Sequence, residues 1–312
     1  MSYVLAIDGG GTKTNVVCAD TNGTIFGSGI SGPTNLTSTS VGAASFSLRE
    51  AIRQATEQFP VDTQITHAAM GLAGMDSSAD YDLAYSTLNA VLEQFAVENF
   101  ILVNDAVIAL ENGSDAPQAI VLISGTGSNC YGKNAIGQTA NAGGADYLLA
   151  DQGSGYAIGR QVLREAVKSF DGRTERSILE QLVCEHFSIA SICDLKSKVY
   201  SPPLPKNEIA QLSKLCTTAS EQQDVVAQRI LNKAVIDLLN HIVAVTTRLQ
   251  IADTAFDCVL SGSVVELPEI KEPLIAQLQK KYSQIRVVFP NKPPVHGALK
   301  LALQAQAAKD LS

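Results

Sequence analysis

Short apolar runs alternate with longer amphipathic stretches over the first third of the chain. Five runs have the length and residue types of β-strands, and they cover Tyr3–Ile7, Thr14–Ala19, Thr24–Gly29, Ile65–Leu72 and Asn99–Val103. Glycine and asparagine turns join the first three, which predicts an antiparallel meander. Two amphipathic stretches, 43–59 and 78–94, are predicted to be helices, and the first carries Phe46, Ile52 and Ala55 on one apolar side. Hairpin strands followed by alternating helix and strand predict an α/β layer with a sheet of mixed direction.

The same pattern restarts after a turn-rich segment at 111–117. The stretch AIVLISGTGSNCYGK predicts a strand, a Gly-Thr-Gly turn and another strand, which is the local plan of YVLAIDGGGTKTNVVCAD near the amino terminus. Thr126 then stands where Thr12 stood. Residues 154–250 are predicted to be mostly helical, and a late strand and a terminal helix at Val295–Lys309 follow. The duplication predicts two domains built on one plan, as the length of 312 residues suggests.

Composition and charge narrow the classes of partner. Apolar residues make up 46% of the chain, charged residues 17%, and the formal net charge is -8. An acidic chain argues against nucleic acid and anionic membranes as partners, because both require clustered Lys and Arg. We saw no apolar run near the ~20 residues of a membrane span. A strand that begins at residue 3 leaves no room for a signal peptide, and the six scattered cysteines have no zinc spacing. A cytoplasmic protein is expected.

The first glycine-rich turn, DGGGTKT, has two interpretations. Glycines are common in hairpin turns because they reach positive φ cheaply. Three successive glycines between Asp8 and Thr12 instead favour a nest of backbone N–H groups that binds phosphate oxygens. Thr12 would add a hydroxyl, Lys13 a charge, and Asp8 would hold Mg²⁺ through water. Neither the Walker nor the dinucleotide-binding spacing is present.

A second donor-rich turn spans Ser124–Asn129. Two such turns on matched strands could hold one phosphate chain from two sides, and this pairing favours a nucleotide over a purely structural role.

The carboxylates of the chain each have two interpretations. Asp105 follows an apolar strand and precedes a helix, so it is either a helix cap or a general base at the carboxyl end of a strand. Asp146 and Asp151 suit a polyol site or a capped helix, and Asn35 by itself indicates a turn.

Seven stretches in chain order resemble one family of proteins. They are DGGGTKT, GPTNL, NDA, ISGTGSN, GG-x-x-x-x-L-x-D-Q-G-S-G, LSGSVV and VHGAL. Together they resemble the N-acetylglucosamine kinase and BadF/BadG/BcrA/BcrD ATPase family, within the superfamily of actin, sugar kinases and heat-shock chaperone ATPases. The resemblance implies an α/β fold of two ribonuclease H-like, actin-like ATPase domains with duplicated mixed sheets and a cleft between them. The first domain would cover 1–115 and be joined by the terminal helix 296–312, and the second would cover 116–295 with a helical insertion.

The resemblance also implies roles for individual residues. ATP, with Mg²⁺, would be held by phosphate-contacting and adenosine-contacting residues, which are Gly9, Gly10, Gly11, Thr12, Thr126, Gly127, Ser128, Gly262 and Ser263. Asp105 would be the catalytic base. The sugar would be lined by Asn35, Gly144, Ala145, Asp146 and Asp151.

The implied activity is ATP-dependent phosphorylation of an amino sugar, N-acetylglucosamine or glucosamine, at the 6-hydroxyl. Ala145 stands where vertebrate-type relatives carry Trp, so the resemblance leaves the N-acetyl preference open. The alternatives are an ATPase that activates a partner enzyme and a non-catalytic sugar or nucleotide sensor. The branch that holds an iron–sulfur cluster is disfavoured, because no cysteine lies in a matching glycine-rich setting. A homodimer is left open as the oligomeric state.

Overall fold

The computed structural model describes residues 2–59, 64–75 and 77–310. The strands are β1 (Ser2–Gly9), β2 (Thr14–Asp20), β3 (Ile25–Ser31), β4 (Gln64–Leu72), β5 (Asn99–Asn104), β6 (Ala119–Ser124), β7 (Ser128–Lys133), β8 (Thr139–Gly143), β9 (Phe256–Ser261) and β10 (Ile285–Val288). The helices are α1 (Val41–Thr56), α2 (Ser78–Leu92), α3 (Asp105–Gly113), α4 (Asp146–Leu149), α5 (Gly155–Phe170), α6 (Leu179–Phe187), α7 (Leu195–Tyr200), α8 (Lys206–Gln211), α9 (Ser213–Glu221), α10 (Val225–Arg248), α11 (Pro268–Lys281) and α12 (Val295–Asp310).

The strands form two five-stranded mixed sheets, ordered β3-β2-β1-β4-β5 and β10-β9-β6-β7-β8. In the first sheet β1 pairs antiparallel with β2 and parallel with β4, and β2 pairs antiparallel with β3. In the second sheet β6 pairs antiparallel with β7 and parallel with β9, and β7 pairs antiparallel with β8. The predicted duplication of a mixed sheet is therefore confirmed, with β6 in the place of β1.

The chain divides into two compact units, which are described separately below. The first unit contains Met1–Ala116 and Val288–Ser312, and the second contains Pro117–Val287. The terminal helix α12 packs in the first unit, against β1, β4 and α3. It approaches α3 so closely that a Cβ added at Gly297 would lie 1.8 Å from the carbonyl oxygen of Ile108. The domain boundaries expected from the sequence, between residues 115 and 116 and between residues 295 and 296, stay a prediction.

One prediction about the core of the first unit is wrong. Phe46 of α1 is 64% exposed, although it was expected to share the apolar side of that helix with Ile52 and Ala55, which are buried. Nine residues separate Phe46 from Ala55, which at 3.6 residues per turn places the two on opposite sides of the helix. The buried stripe of α1 includes three alanines, Ala44, Ala51 and Ala55, and the helix backbone lies directly on β3. A Cβ added at Gly27 would lie 2.0 Å from the carbonyl oxygen of Ala55. Such close packing leaves room only for small side chains between helix and strand.

The core of the second unit is built around the long helix α10. Among the described residues it is the one helix long and apolar enough to cross a membrane by length and composition, a run that the sequence patterns did not indicate. It packs against β6, β7, β8 and α5. Leu238, Ile242 and Val245 of this helix are fully buried in that packing. Its apolar character is therefore accounted for by the core.

Candidate active site

The carboxyl ends of three parallel strands meet at one edge of the first sheet. Gly9 at the end of β1 is in register with Leu72 at the end of β4, and Leu72 is in register with Asn104 at the end of β5. The N–H of Ala73 donates to the carbonyl of Gly9 at 2.9 Å and fixes the two chain ends to each other. Open α/β sheets bind ligands at this edge, so the residues that follow these strands form the candidate site of the first unit.

The turn after β1, residues 10–13, is called here the first glycine turn. The N–H of Gly10 donates to the carbonyl of Lys13 at 3.0 Å and closes the turn. The carbonyl of Gly10 accepts the N–H groups of Thr34 at 3.1 Å and Asn35 at 3.3 Å. The N–H groups of Gly11 and Thr12 meet no acceptor within the part of the chain that the structure describes. The carbonyls thus point back into the protein while exposed N–H groups are left to bind an anion.

Asn35 lies against this turn and against the residue that follows β4. Its Oδ1 accepts the N–H of Thr37 at 2.9 Å and the hydroxyl of Thr37 at 2.8 Å. Gly74 has a positive φ of 74°, and a Cβ there would lie 2.5 Å from Asn35 Oδ1. Beside this contact is a cavity of about 180 Å³, lined by Leu36, Thr37, Leu72, Gly74, Met75, Asp80, Leu83 and Ala84. Asn35, predicted to contact sugar, is therefore adjacent in the chain to residues that line this cavity and contacts Gly74, another lining residue.

The structure separates the two interpretations of Asp105. Asn104 is the N-cap of α3, because its Oδ1 accepts the N–H of Ala106 at 3.0 Å. Its Nδ2 donates to the carbonyl of Met75 at 3.2 Å. Asp105 is the first residue of the helix and is partly exposed at the strand edge. The capping role thus belongs to Asn104, and the role of Asp105 as a general base stays a prediction.

Asp8 is held in a protein environment that disfavours its charge. Burial raises the pKa of the Asp8 carboxyl, and the side chain of Asn15 and the charge of Lys13 offset part of that rise. A nearby cation would favour the ionised form. Within the described ranges no group of three or more His, Cys, Asp or Glu residues could hold a metal ion. A magnesium ion near Asp8 would therefore take water and the phosphate oxygens of a nucleotide as its other ligands.

The turn after β6, residues 125–127, is called here the second glycine turn, and it follows the same design. The N–H of Gly125 donates to the carbonyl of Gly127 at 3.0 Å. The carbonyls of Gly125 and Thr126 accept the N–H groups of Gly155 at 2.8 Å and Tyr156 at 3.2 Å, at the start of α5. No described residue accepts from the N–H groups of Thr126 or Gly127. Both units thus present two unused N–H groups from a turn that ends a central strand.

Ser128 and Asp151 support this second turn from behind. Ser128 uses both of its hydrogen-bond donors inside the unit. Its N–H donates to Asp151 Oδ1 at 3.1 Å, and its hydroxyl donates to the carbonyl of Gln152 at 2.8 Å. Asp151 is 5% exposed, and a Cβ at Gly127 would lie 3.0 Å from each of its carboxylate oxygens. In this state of the protein, Ser128 and Asp151 hold the turn in place, whereas Thr126 and Gly127 present its donors.

The loop from Gly143 to Asp146 lies next to the second turn. Gly144 donates its N–H to the carbonyl of Ser128 at 3.1 Å. Asp146 has a left-handed φ of 62°, and both Asp146 and Ala145 are exposed. Lys206 bridges Asp146 and Asp151, with its Nζ 2.7 Å from Asp151 Oδ2. The structure therefore brings together the carboxylates that were predicted to line a sugar.

Gly262 and Ser263 follow β9, whose end is in register with that of β6. Gly262 has a φ of 106°, and a Cβ there would lie 2.4 Å from the carbonyl oxygen of Ser124. The same carbonyl accepts the N–H of Val264 at 2.9 Å. Ser263 is exposed beside this close approach. Both residues thus lie beside the second turn, where they were predicted to contact adenosine.

Two residues of the candidate site were missed by the sequence patterns. Gly74 had a local signal, since it ends the GLAG stretch after β4, but only the position of Asn35 shows what it accommodates. Lys206 had no such signal, because it is 60 positions from Asp146 in the chain. It was part of a helical region with no indicated role.

The chain is similar to known proteins over nearly its whole length. The sequence profile described as the BadF/BadG/BcrA/BcrD ATPase family matches residues 5–304. The chain belongs to this family. It is 30% identical over 304 residues to an N-acetylmuramic acid/N-acetylglucosamine kinase of Clostridium acetobutylicum, covering 97% of this chain and 98% of the relative. It is 29% identical over 314 residues to an N-acetyl-D-glucosamine kinase of Dictyostelium discoideum, with the same coverage of 97% and 98%.

A solved structure supports the fold. A ROK family glucokinase from Streptomyces griseus, in complex with glucose and AMPPNP, superposes with a TM-score of 0.61 at 16% identity and covers 97% of this chain and 99% of that one. The predicted class of two ribonuclease H-like, actin-like domains with duplicated mixed sheets is therefore confirmed. The family assignment is confirmed as well, and it makes the protein a member of a family of ATP-using kinases and ATPases.

Proposed function

We propose that the protein is a kinase that transfers the terminal phosphoryl group of ATP to the 6-hydroxyl of an amino sugar, N-acetylglucosamine or glucosamine. The observation that carries the proposal is the shared design of the two glycine turns. Each presents two unused N–H groups, at Gly11 and Thr12 and at Thr126 and Gly127. Phosphoryl transfer depends mainly on positioning and on stabilising charge on phosphate oxygens, and such donors are suited to that task.

In this proposal Asp105 accepts the proton of the attacking hydroxyl. It sits at the strand edge that also carries the first glycine turn and the Asn35–Gly74 contact. Mg²⁺, where bound, would neutralise charge on the phosphate oxygens. Asp8 directly precedes the glycines of the first turn in the sequence, and it is the carboxylate that would hold the ion through water. Asn35 would orient a sugar hydroxyl through its amide. The mostly apolar cavity beside it supports an acyl substituent on the amino group.

The experiment is a coupled ATP-turnover assay with glucosamine, N-acetylglucosamine, N-acetylmuramic acid and glucose as acceptors. We expect a low basal rate without acceptor and strong stimulation by an amino sugar, with the phosphorylated position assigned by NMR. Turnover that ignores every sugar would contradict the proposal. It would favour instead the alternative of an ATPase that activates a partner enzyme; the family description names an ATPase.

The Asp105→Asn variant tests the base directly. The change preserves size but removes the proton acceptor, so kcat should fall by about 100-fold or more, while affinity for ATP stays the same. Asp82→Asn, at an exposed aspartate of α2, is the matched control and should keep full activity. A near-normal kcat in Asp105→Asn on the best acceptor would exclude Asp105 as the base.

A further inference from the structure

Lys206 contacts two carboxylates, those of Asp151 and Asp146, which differ in how strongly they require a cation as a partner. Asp151 is buried under the second glycine turn, and a buried carboxylate requires a partner cation. Lys206 Nζ, 2.7 Å from Asp151 Oδ2, provides that cation. The side chain of Asp146 is 56% exposed and water could solvate it equally well, since exposed ion pairs contribute little to stability. Ion pairing alone therefore gives the Lys206–Asp146 half of the bridge little stabilising value.

The backbone at Asp146 gives a second observation. Asp146 has a φ of 62°, and a non-glycine residue held in this region costs energy unless surrounding contacts maintain it. Its contact to Lys206 is one such restraint. Lys206 also lies 5.6 Å from the ring centroid of Tyr147, the next residue, so the ammonium restrains this part of the loop through two neighbouring side chains.

The loop and the second turn are thus joined at two points. One is a backbone hydrogen bond from Gly144 to Ser128 at 3.1 Å. The other runs from Asp146 through Lys206 to Asp151, whose second oxygen accepts the N–H of Ser128 at 3.1 Å. A change in the position or contacts of Asp146 would therefore act on the second glycine turn through the ammonium of Lys206, which contacts both carboxylates. An acceptor sugar whose hydroxyl donates a hydrogen bond to the Asp146 carboxylate would compete with Lys206 for that carboxylate and weaken or strengthen the contact of Lys206 with Asp151.

We propose that Lys206 is a positioning residue that couples the Gly143–Asp146 loop to the second glycine turn, so that binding of the acceptor at the loop changes the affinity of the turn for ATP. This inference rests on the proposed kinase function, because it takes the loop as the acceptor side and the turn as the phosphate side. Linkage requires the effect to be reciprocal: ATP must change the affinity for the acceptor by the same factor.

The test measures this coupling factor directly. Calorimetry gives the Kd of a non-hydrolysable ATP analogue without acceptor and with saturating acceptor, and the coupling factor is the ratio of the two. We expect about 5-fold or more in the native protein, the lower end of typical allosteric coupling. In Lys206→Met the factor should fall towards one, and Lys206→Arg should restore part of it. Asp146→Asn, which retains the buried Lys206–Asp151 pair and so avoids an unpaired buried charge, should lower the factor as well.

The controls separate coupling from a structural role. Lys233→Met removes another lysine of the same unit that pairs with an aspartate, Asp237 on α10, and should leave the factor unchanged. The double variant Asp146→Asn/Lys206→Met should lose no more coupling than either single variant, because both interrupt one connection. A native-like coupling factor in folded Asp146→Asn and Lys206→Met would overturn the inference while acceptor-dependent turnover upheld the kinase. Absence of acceptor-dependent turnover in the native protein would instead overturn the proposed function and this inference with it.

Discussion

The second glycine turn offers a substitution whose effect on folding and effect on ligand binding can be separated. A Cβ added at Gly125 would meet no heavy atom within 4 Å, and Gly125 does not have a left-handed φ. Within the residues that the structure describes, no contact and no backbone angle requires glycine at this position. We expect Gly125→Ala to change the free energy of unfolding by no more than about 0.5 kcal/mol, as for substitutions away from special features.

The effect on nucleotide binding should be much larger. The unused N–H groups of Thr126 and Gly127 follow Gly125 directly, so a methyl group there would stand where a phosphate oxygen approaches them. Loss of one hydrogen bond to a charged group costs about 1.5–3 kcal/mol. Because about 1.4 kcal/mol corresponds to a tenfold change in affinity, Gly125→Ala should weaken ATP binding by roughly 10- to 150-fold.

Calorimetry with a non-hydrolysable ATP analogue measures the affinity, and thermal unfolding without ligand checks the fold. The matched control is Gly42→Ala in α1, which also adds a Cβ with no heavy atom within 4 Å but lies away from both glycine turns in the sequence. It should leave ATP affinity unchanged. Unchanged affinity in folded Gly125→Ala would refute the phosphate role of the second turn. A large drop in the unfolding temperature would refute the premise that Gly125 has no internal role.

Two further predictions concern the first unit. Because burial raises the folded-state pKa of Asp8 above the ordinary aspartate value of about 3.9, the folded chain binds this proton more tightly than the unfolded chain and loses stability as pH rises through that pKa. Asp8→Asn should therefore be more stable than the native protein at neutral pH, and it should weaken Mg-ATP binding. If the difference in unfolding free energy between the variant and the native protein did not grow as pH rises from about pH 4, this account would be contradicted. In Gly297→Ala the new Cβ would lie 1.8 Å from the carbonyl of Ile108, so denaturant unfolding should show a loss of about 1–3 kcal/mol or more. An unchanged midpoint would show that α12 can move away from α3 without cost.

Much of the fold could be predicted because its signals are local. The strands that end in glycine turns were found from short apolar runs and from turn residues, and the capping residue of α5, Ser154, accepts the N–H of Ala157 at 3.1 Å as a serine at that position should. Phe46 shows that a periodic pattern can also be misassigned. It is nine residues from Ala55, which at 3.6 residues per turn places it on the opposite side of α1 from the buried stripe. What the pattern of the helix does not encode is the close approach of α1 to Gly27 and Gly29, because that is a tertiary distance.

The candidate site divides in the same way. Asp105 could be located at a strand end, yet its neighbour Asn104 had to be seen accepting the N–H of Ala106 before the capping role could be assigned. Asp151 could be noticed as a carboxylate in a glycine-rich stretch, but its burial under Gly127 depends on how the chain returns after β8. Lys206 has significance only through the two carboxylates it contacts. Contacts of this kind are set by packing between distant segments, which the sequence of each segment does not specify alone.

The glycines illustrate how a structure can separate residues that look alike in sequence. Gly262 and Gly9 have internal reasons to be glycine, since an added Cβ would lie 2.4 Å from the Ser124 carbonyl oxygen in one case and 2.4 Å from Thr34 Oγ1 in the other. Gly125 has none, and Gly11 would make only ordinary contacts, the nearest at 3.6 Å. These two lie in the glycine turns that present unused N–H groups. Gly42 is equally free of contacts with described residues, so open space alone does not indicate a ligand. Gly11 and Gly125 differ from it because they adjoin unused N–H groups, and under the proposed function an anion held by those groups would occupy the space of the missing side chains.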